Sequence, residues 1–569
     1  MATLNKQTVG ALRPFSLWGL GGTLIIFTVG LCVNPISAND LFWQLRTGHE
    51  IVATHYLPHQ DTYSWTRRGT PWVVHEWLAF VLLWQAYSWG HGLAGVWLLE
   101  VVLAVLTAVV LFACVWRETD GTPLTALLLT AGALLLTSIF FQPRPHMFTY
   151  LFFTVTVGVI QAVRRHAAPW QWLLILPPLF ALWANLHAGV LVGVGIVVLF
   201  ALAEASGILV QSDAFQSDAR VGECRMCLLW MRRWGLIAAA CAFMTLLTPY
   251  GWHVYQNFGA TVSNATAMNN VSEWASPDFH EMPGKMLECF LLIIGAGFIF
   301  SRQRRETVDL LLLLALIYAT LGAYRNMPLL ALGGTLLGAR HVQSALESVL
   351  NRLGGTSLRS PSLFGKTPSP VMLGVTGCAF ALIPFMRAQH LFTRPDAGNT
   401  FSLDQVAATS VGLNQFPEAA CRFMQVESFP TTLRLYNDYD IGGFLIWRLP
   451  EYPVFIDGRA DVYFGSLLDD FVLLKKQPYD WHQILGRYHP GIALFSTQSS
   501  QAHLFLSASD WALVYADSRE LDEKGAPNFL IFVKRTPESS VLIARSRRAC
   551  AAWSALQKSD LSRQYAALR

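Results

Sequence analysis

Uninterrupted apolar runs recur through roughly the first 390 residues of this chain, several of them long enough to cross a bilayer. A run of about 20 apolar residues is stable in lipid and costly to expose to water, so these runs constrain the fold more than any motif does. They lie near residues 16–36, 92–116, 124–141, 148–163, 172–183, 188–204, 236–248, 286–300, 308–323, 328–338 and 371–386. With their flanks they make about eleven spans. The first run could end in a cleavage site at Ile36-Ser37-Ala38, but it is longer than the roughly 7–15 apolar residues of a signal peptide and is read as an uncleaved span. Composition agrees: 53% of residues are hydrophobic and 14% charged, where a soluble domain carries about 25% charged. That excludes a cytosolic enzyme and a disordered scaffold. A net charge of +4 over 569 residues gives no polyanion-binding signal, so no nucleic-acid partner is expected. The nine cysteines are scattered, mostly in apolar runs, which argues against a disulfide framework. Cys224 and Cys227 form a lone CxxC without a second pair, a weak metal signal.

An odd number of spans places the two chain ends on opposite sides. Cytoplasmic loops carry an excess of Lys and Arg. With the N-terminus cytoplasmic, that side receives Arg164-Arg165-His166, then Arg220, Arg225, Arg232 and Arg233, then Arg302, Arg304 and Arg305, and finally Arg340, Arg352, Arg359 and Lys366. The opposite loops are poorer in basic residues apart from Arg46, Arg67 and Arg68. The segment His75–Trp89 is apolar but too short to span, and Trp77, Trp84 and Trp89 suit the membrane interface. Beyond Gln389 charged residues return. Strand-like pieces at Pro453–Ile456, Ile492–Phe495 and Phe529–Val533 are interleaved there with helical stretches such as Leu467–Lys475. The expected architecture is a polytopic α-helical membrane domain over residues 1–388, with a first outer loop at 37–91 and a late outer loop at 251–285. A soluble, extracytoplasmic α/β domain would follow over 389–569.

In this topology the outer loops hold most of the unusual polar groups. The first carries Asp40, Trp43, Arg46, Asp61, His75 and Glu76; the second Arg144 and His146; the third Asn185 and His187; the fourth Glu273, Asp278 and His280; the fifth Arg325. Water alone explains polarity in any single loop. Arg144, Asn185, His187 and Arg325 differ because their loops are very short and flanked by apolar spans, where ionisable groups are expensive and tend to mark sites. Asp40, directly after the first span, is placed in the same way. A transporter would instead gather such groups near the bilayer midplane, and apart from Glu100 and Glu204 the spans carry almost no charge.

The segment from Asp40 through Trp43, Arg46 and Gly48 to Pro58 resembles the first outer loop of GT-C-type glycosyltransferases, and most of all the oligosaccharyltransferase catalytic subunit. Val271-Ser272-Glu273-Trp274 is similar to a Ser-x-Ser-Glu-type motif in that family's late outer loop. Tyr436-Asn437-Asp438-Tyr439-Asp440-Ile441-Gly442-Gly443 resembles the Trp-Trp-Asp-Tyr-Gly segment that opens its soluble domain. Trp72-Val73-Val74-His75-Glu76-Trp77-Leu78 and Phe455-Ile456-Asp457-Gly458-Arg459-Ala460-Asp461 look like a broad group of bacterial membrane proteins of this superfamily. Two departures stand out. Gln142-Pro143-Arg144-Pro145-His146 occupies the loop where the oligosaccharyltransferases carry a second acidic motif for a metal site. The Trp-Trp-Asp core is reduced to Tyr436-Asn437-Asp438, which weakens the case for peptide-sequon recognition.

The resemblance implies an enzyme of the bacterial inner membrane, with a periplasmic C-terminal domain. It would move a sugar with inversion from a polyprenyl-phosphate carrier to a glycan, lipid or protein acceptor. A hydroxyl acceptor needs a base, and Asp40 is the candidate. A leaving lipid phosphate needs cationic donors, for which Arg144 and Arg325 are candidates, with His146 and His187. Glu273, Asp278, His280, Trp43, Arg46, His75 and Glu76 are candidates for holding the acceptor or the sugar. No cofactor is expected, since Arg144 stands where a metal would want acids; a divalent metal at Asp40 is the alternative. Two other functions stay open: a non-catalytic assembly protein of envelope-polymer synthesis, and a lipid-linked sugar transporter.

Overall fold

The computed structural model describes residues 14–34, 36, 38–212, 221–270, 272–353, 380, 382, 416–476, 478–517 and 529–557. The chain divides into two compact units, each assembled from three separate stretches. The helical unit takes Met1–Asn34, Gly90–Trp252 and Val271–Val406, and the sheet-bearing unit takes Pro35–Trp89, His253–Asn270 and Ala407–Arg569. The segment around Asp40 thus belongs with the C-terminal sheet.

In the helical unit, Leu93–Glu118, Pro123–Phe140, His146–Arg164 and Met282–Phe300 are long and apolar enough to cross a membrane. Gly19–Leu31, Trp170–Leu186, Val190–Glu204 and Thr307–Gly322 are shorter apolar helices. The expected run at 328–338 is the first part of a longer helix, Met327–Leu353, which packs against Met282–Phe300, Pro123–Thr137 and Thr307–Gly322. The run expected at 371–386 lies outside the described residues except for Phe380 and Leu382. Proline stands in the first turn of the helices at 123–137, 176–186 and 282–300, where a missing N–H costs nothing. The outward face of Leu93–Glu118 carries Leu98, Val102, Leu106 and Val109, each 45–55% exposed. An exposed apolar stripe of that length is stable only against lipid or another apolar surface.

Both ends of His146–Arg164 are polar, and at about 1.5 Å per residue they lie about 27 Å apart, close to the thickness of a bilayer's hydrocarbon core. At the Arg164 end, that side chain pairs with Glu204 at 2.9 Å, Glu306 at 2.9 Å and Asp309 at 3.0 Å. Arg165 reaches Asp309 at 3.2 Å and also pairs with Glu118, and Arg340 reaches Glu306 at 3.2 Å. Three arginines that the sequence places in basic loops are therefore folded onto carboxylates of neighbouring helices.

The sheet-bearing unit contains strands β1 (Leu435–Asn437), β2 (Ile492–Ser496), β3 (Trp511–Ala516) and β4 (Phe529–Lys534) in the order β1-β2-β4-β3. Strand β2 runs parallel to β1, and β4 is antiparallel to β2 and β3. Helices Leu41–Thr54 and Trp77–Trp89 pack together, and Tyr439–Arg448 packs on the first of them. Pro453–Ile456, expected as a strand, makes one bridge among the described residues, between Val454 and Ser64. The buried Asn437 side chain replaces the ladder: its Oδ1 accepts from Phe455 N–H at 2.9 Å and its Nδ2 donates to Ile456 O at 2.8 Å.

Beyond that segment lies a buried charge centre. Arg459 is 2% exposed; its Nε and Nη2 donate to the two oxygens of Asp457 at 2.8 and 2.6 Å. Its Nη1 lies 2.8 Å from Asp61, and its guanidinium sits 4.6 Å from the Trp72 ring and 5.0 Å from the Tyr63 ring. Removing one member of such a buried set strands the others without compensation, a loss of about 3–5 kcal/mol. Arg459→Ala is expected to lower the melting temperature of the full chain in detergent sharply, and Arg459→Lys to restore little, because a lysine cannot reproduce the fork. Thermal unfolding checks this; an unchanged melting temperature would contradict it.

Candidate functional site

In the helical unit a polar cluster forms where helices end in short turns. Pro145 caps the entry of His146–Arg164, and Arg144 directly precedes it. Arg144 Nη1 donates to Glu273 Oε1 at 2.7 Å. Glu273 lies in a short 3-10 turn, Ser272–Trp274, fastened by Tyr324 N–H donating to Ala275 O at 2.8 Å. The neighbouring Arg325 guanidinium lies 4.4 Å from the centre of the Trp274 ring, and the Tyr324 and Phe140 rings meet at 4.8 Å. Burial alone would raise the Glu273 carboxyl, but Arg144 and then Arg325 hold it down at about 2, so it is ionised.

His146 and His187 complete the cluster, their rings 6.5 Å apart. His146 Nε2 donates to Phe140 O at 2.8 Å, which in the neutral ring leaves Nδ1 as an acceptor. Arg144, Arg325, Glu273, His146 and His187 are thus brought together, two guanidinium groups and one carboxylate among the described residues. Asn185 instead donates to Ala181 O and Leu247 O. Asp278 and His280 are exposed, and the Asp278 carboxylate accepts the His280 backbone N–H at 2.8 Å, making the turn before Met282–Phe300.

Asp40, Trp43, Arg46, His75 and Glu76 belong to the sheet-bearing unit. Asp40 precedes helix Leu41–Thr54 but makes no side-chain cap; its Oδ1 accepts from Trp43 Nε1 at 3.1 Å. Gly458 backs directly onto it, and a Cβ there would fall 2.0 Å from Asp40 Oδ1. Burial first, and then Asp40, Asp457, Asp440 and Asp461, push the Tyr439 phenol far up, so these carboxylates share one neighbourhood. Asp457 is bound by Arg459, Asp440 accepts from Asn39 at 3.3 Å and Asp461 from Asn257 at 3.2 Å. A hard divalent ion wants several oxygen ligands together. Among the described residues no group of three or more His, Cys, Asp or Glu is placed to hold one. Arg46 pairs with Glu50 at 2.7 Å along its own helix.

His75 Nε2 lies 3.6 Å from Glu76. Burial alone would lower His75, but the adjacent Glu76 carboxylate, with Asp461, raises it to about 9. A group raised on folding stabilises fully below its unfolded value, about 6.5, and loses that contribution as pH rises through its folded value. His75→Gln is expected to lower the melting temperature at pH 7 and to match wild type near pH 10. A difference that persists at pH 10 would contradict this.

No model of a known protein family matches the sequence, and no curated protein matches it. Solved structures do. The apo oligosaccharyltransferase of Archaeoglobus fulgidus superposes with a TM-score of 0.55 at 11% identity, over 85% of this chain and 70% of that one. This chain has a GT-C-like fold. The Archaeoglobus fulgidus oligosaccharyltransferase AglB, in complex with an inhibitory peptide and a dolichol-phosphate, matches with a TM-score of 0.52 at 12% identity, over 85% and 69% of the two chains. ArnT from Cupriavidus metallidurans in the apo state superposes with a TM-score of 0.48 at 14% identity, over 91% and 97%.

Thr149, Trp183 and Gly189 around His187 are not singled out in the sequence, and Tyr439 stands out there only within the Tyr436–Gly443 segment, not as a neighbour of Asp40. Thr149 and Trp183 lie on apolar helices, where nothing marks them out; the His187-Ala188-Gly189 step is the only local signal.

Proposed function

We propose that this chain is a membrane glycosyltransferase that moves a sugar, with inversion, from a polyprenyl-phosphate-type carrier to an extracytoplasmic acceptor. It would lie in a bacterial inner membrane with its N-terminus cytoplasmic. The observation that carries this reading is the cluster of Arg144, Arg325 and His187 at the ends of apolar helices in a chain with a GT-C-like fold. Two guanidinium groups against one carboxylate leave an excess of positive charge, which suits an anion. The helices starting at His146, Val190 and Met327 add their positive ends beside it. AglB, of the same fold, was solved with a dolichol-phosphate.

In the reaction, Asp40 takes the acceptor hydroxyl proton while that oxygen bonds to the anomeric carbon. The bond from that carbon to the phosphate oxygen breaks, and the lipid phosphate leaves with the electron pair. Arg144 and Arg325 neutralise the growing charge, and His187 donates a hydrogen bond. Glu273, bound to Arg144, orients that guanidinium rather than the acceptor. Asp278 and His280, being exposed, are where an acceptor or its hydroxyls would be met. Trp43, Arg46, His75 and Glu76 shape the surroundings of Asp40. The reaction is proposed to need no metal, Arg144 standing where a metal would want acids.

Turnover of a radiolabelled polyprenyl-phosphate sugar by the purified protein in detergent tests this. Arg144→Ala and Asp40→Asn are each expected to cut the rate by roughly 10²-fold or more, and EDTA to leave it within about twofold, Arg144 taking the place of a metal at the phosphate. Sugar movement seen only in sealed vesicles would make the chain a transporter. Loss in EDTA restored by Mn²⁺ would turn Asp40 from base to metal ligand.

A further inference from the structure

His187 ends the helix Leu176–Leu186, and its ring turns back onto two hydrogen-bond donors. Gly189 backbone N–H donates to His187 Nδ1 at 3.0 Å. A backbone amide can only donate, so Nδ1 is bare and accepting. Thr149 Oγ1 lies 2.7 Å from the same nitrogen, and Trp183 Nε1 donates to Thr149 Oγ1 at 2.8 Å. An indole N–H also can only donate. The Thr149 hydroxyl therefore accepts from Trp183 and directs its own hydrogen at Nδ1. The direction of every bond in the chain follows from its two fixed donors, the Trp183 indole and the Gly189 amide. Trp183 is fully buried and Thr149 is 3% exposed, so water does not compete for these bonds.

The geometry points to Trp183, Thr149 and Gly189 as positioning residues that lock His187 in the neutral tautomer carrying its proton on Nε2, a fixed donor for an anionic oxygen. The ligand class is a phosphate ester oxygen, and this role rests on the transferase reading above; the tautomer rests on the hydrogen bonds alone. His187 and His146 thus divide the work. His146 donates its Nε2 proton to Phe140 O, whereas the bonds that fix the His187 ring fall on its Nδ1. An imidazolium at His187 would set an Nδ1–H against both donors, in a cluster that already holds Arg144 and Arg325. Gly189 is required by contact: a Cβ there would fall 2.5 Å from Thr149 Oγ1 and 2.7 Å from His187 Nδ1.

The test is nitrogen NMR of the full chain in lipid with labelled histidine, His187 being assigned by the signal lost in His187→Gln. At neutral pH the expected result is a bare Nδ1 and a protonated Nε2. Thr149→Val, which removes the hydroxyl at constant shape, should shift the Nδ1 signal and slow turnover by roughly three- to tenfold, the worth of one hydrogen bond. Thr149→Ser should restore both, and Gly189→Ala should disturb both. If Thr149→Val fails to fold, the wild-type spectrum and Thr149→Ser still decide. A protonated Nδ1 in wild type, or an Nδ1 signal unmoved by Thr149→Val, would overturn the relay. The expected tautomer in a protein that turns over no lipid-linked sugar would overturn the transferase reading and leave the relay standing.

Discussion

The Arg144–Glu273 ion pair organises the site of the helical unit. A guanidinium at the end of an apolar helix is costly unless an acid meets it. Glu273 meets it from a 3-10 turn that is itself fastened to Tyr324, and Tyr324 in turn places Arg325 on the Trp274 ring. One charge pair thus fixes three connections and sets two cations side by side. The pair also keeps Glu273 ionised, so among the described residues the cluster holds two guanidinium groups and one carboxylate.

The opposite end of His146–Arg164 is handled differently. There Arg164, Arg165 and Arg340 are matched by Glu118, Glu204, Glu306 and Asp309, and the network joins helices without a surplus of positive charge. The two polar layers are about a hydrocarbon thickness apart. One of them is neutralised and the other is left cationic. That asymmetry is the physical reason for assigning anion chemistry to the Arg144 end.

Much of this was legible in sequence. The apolar runs gave the helices, because a 20-residue apolar segment has few other stable forms. Arg144, His187 and Arg325 stood out beside very short loops, and His146 and Glu273 as polar groups of outer loops; the structure gathers these five, while Asn185, singled out with the first three, bonds backbone carbonyls instead. Other features were hidden. Thr149 and Trp183 look like ordinary apolar-span residues, and only the turn at Gly189 brings His187 onto them. Pro453–Ile456 has strand composition, but Asn437 takes its backbone groups, which periodicity cannot show. Asp40 and the C-terminal sheet share a unit although some 400 residues separate them, and nothing local in either segment announces that.

The central claim is that the Arg144 end of the helical unit holds the phosphate of a lipid carrier. Binding of a polyprenyl monophosphate to the purified protein, followed by the shift in its melting temperature in detergent, tests that claim without requiring turnover. The account predicts a concentration-dependent rise in wild type, a loss of that rise in Arg144→Ala, and little change in Asp40→Asn. An equal rise in Arg144→Ala and wild type would contradict it.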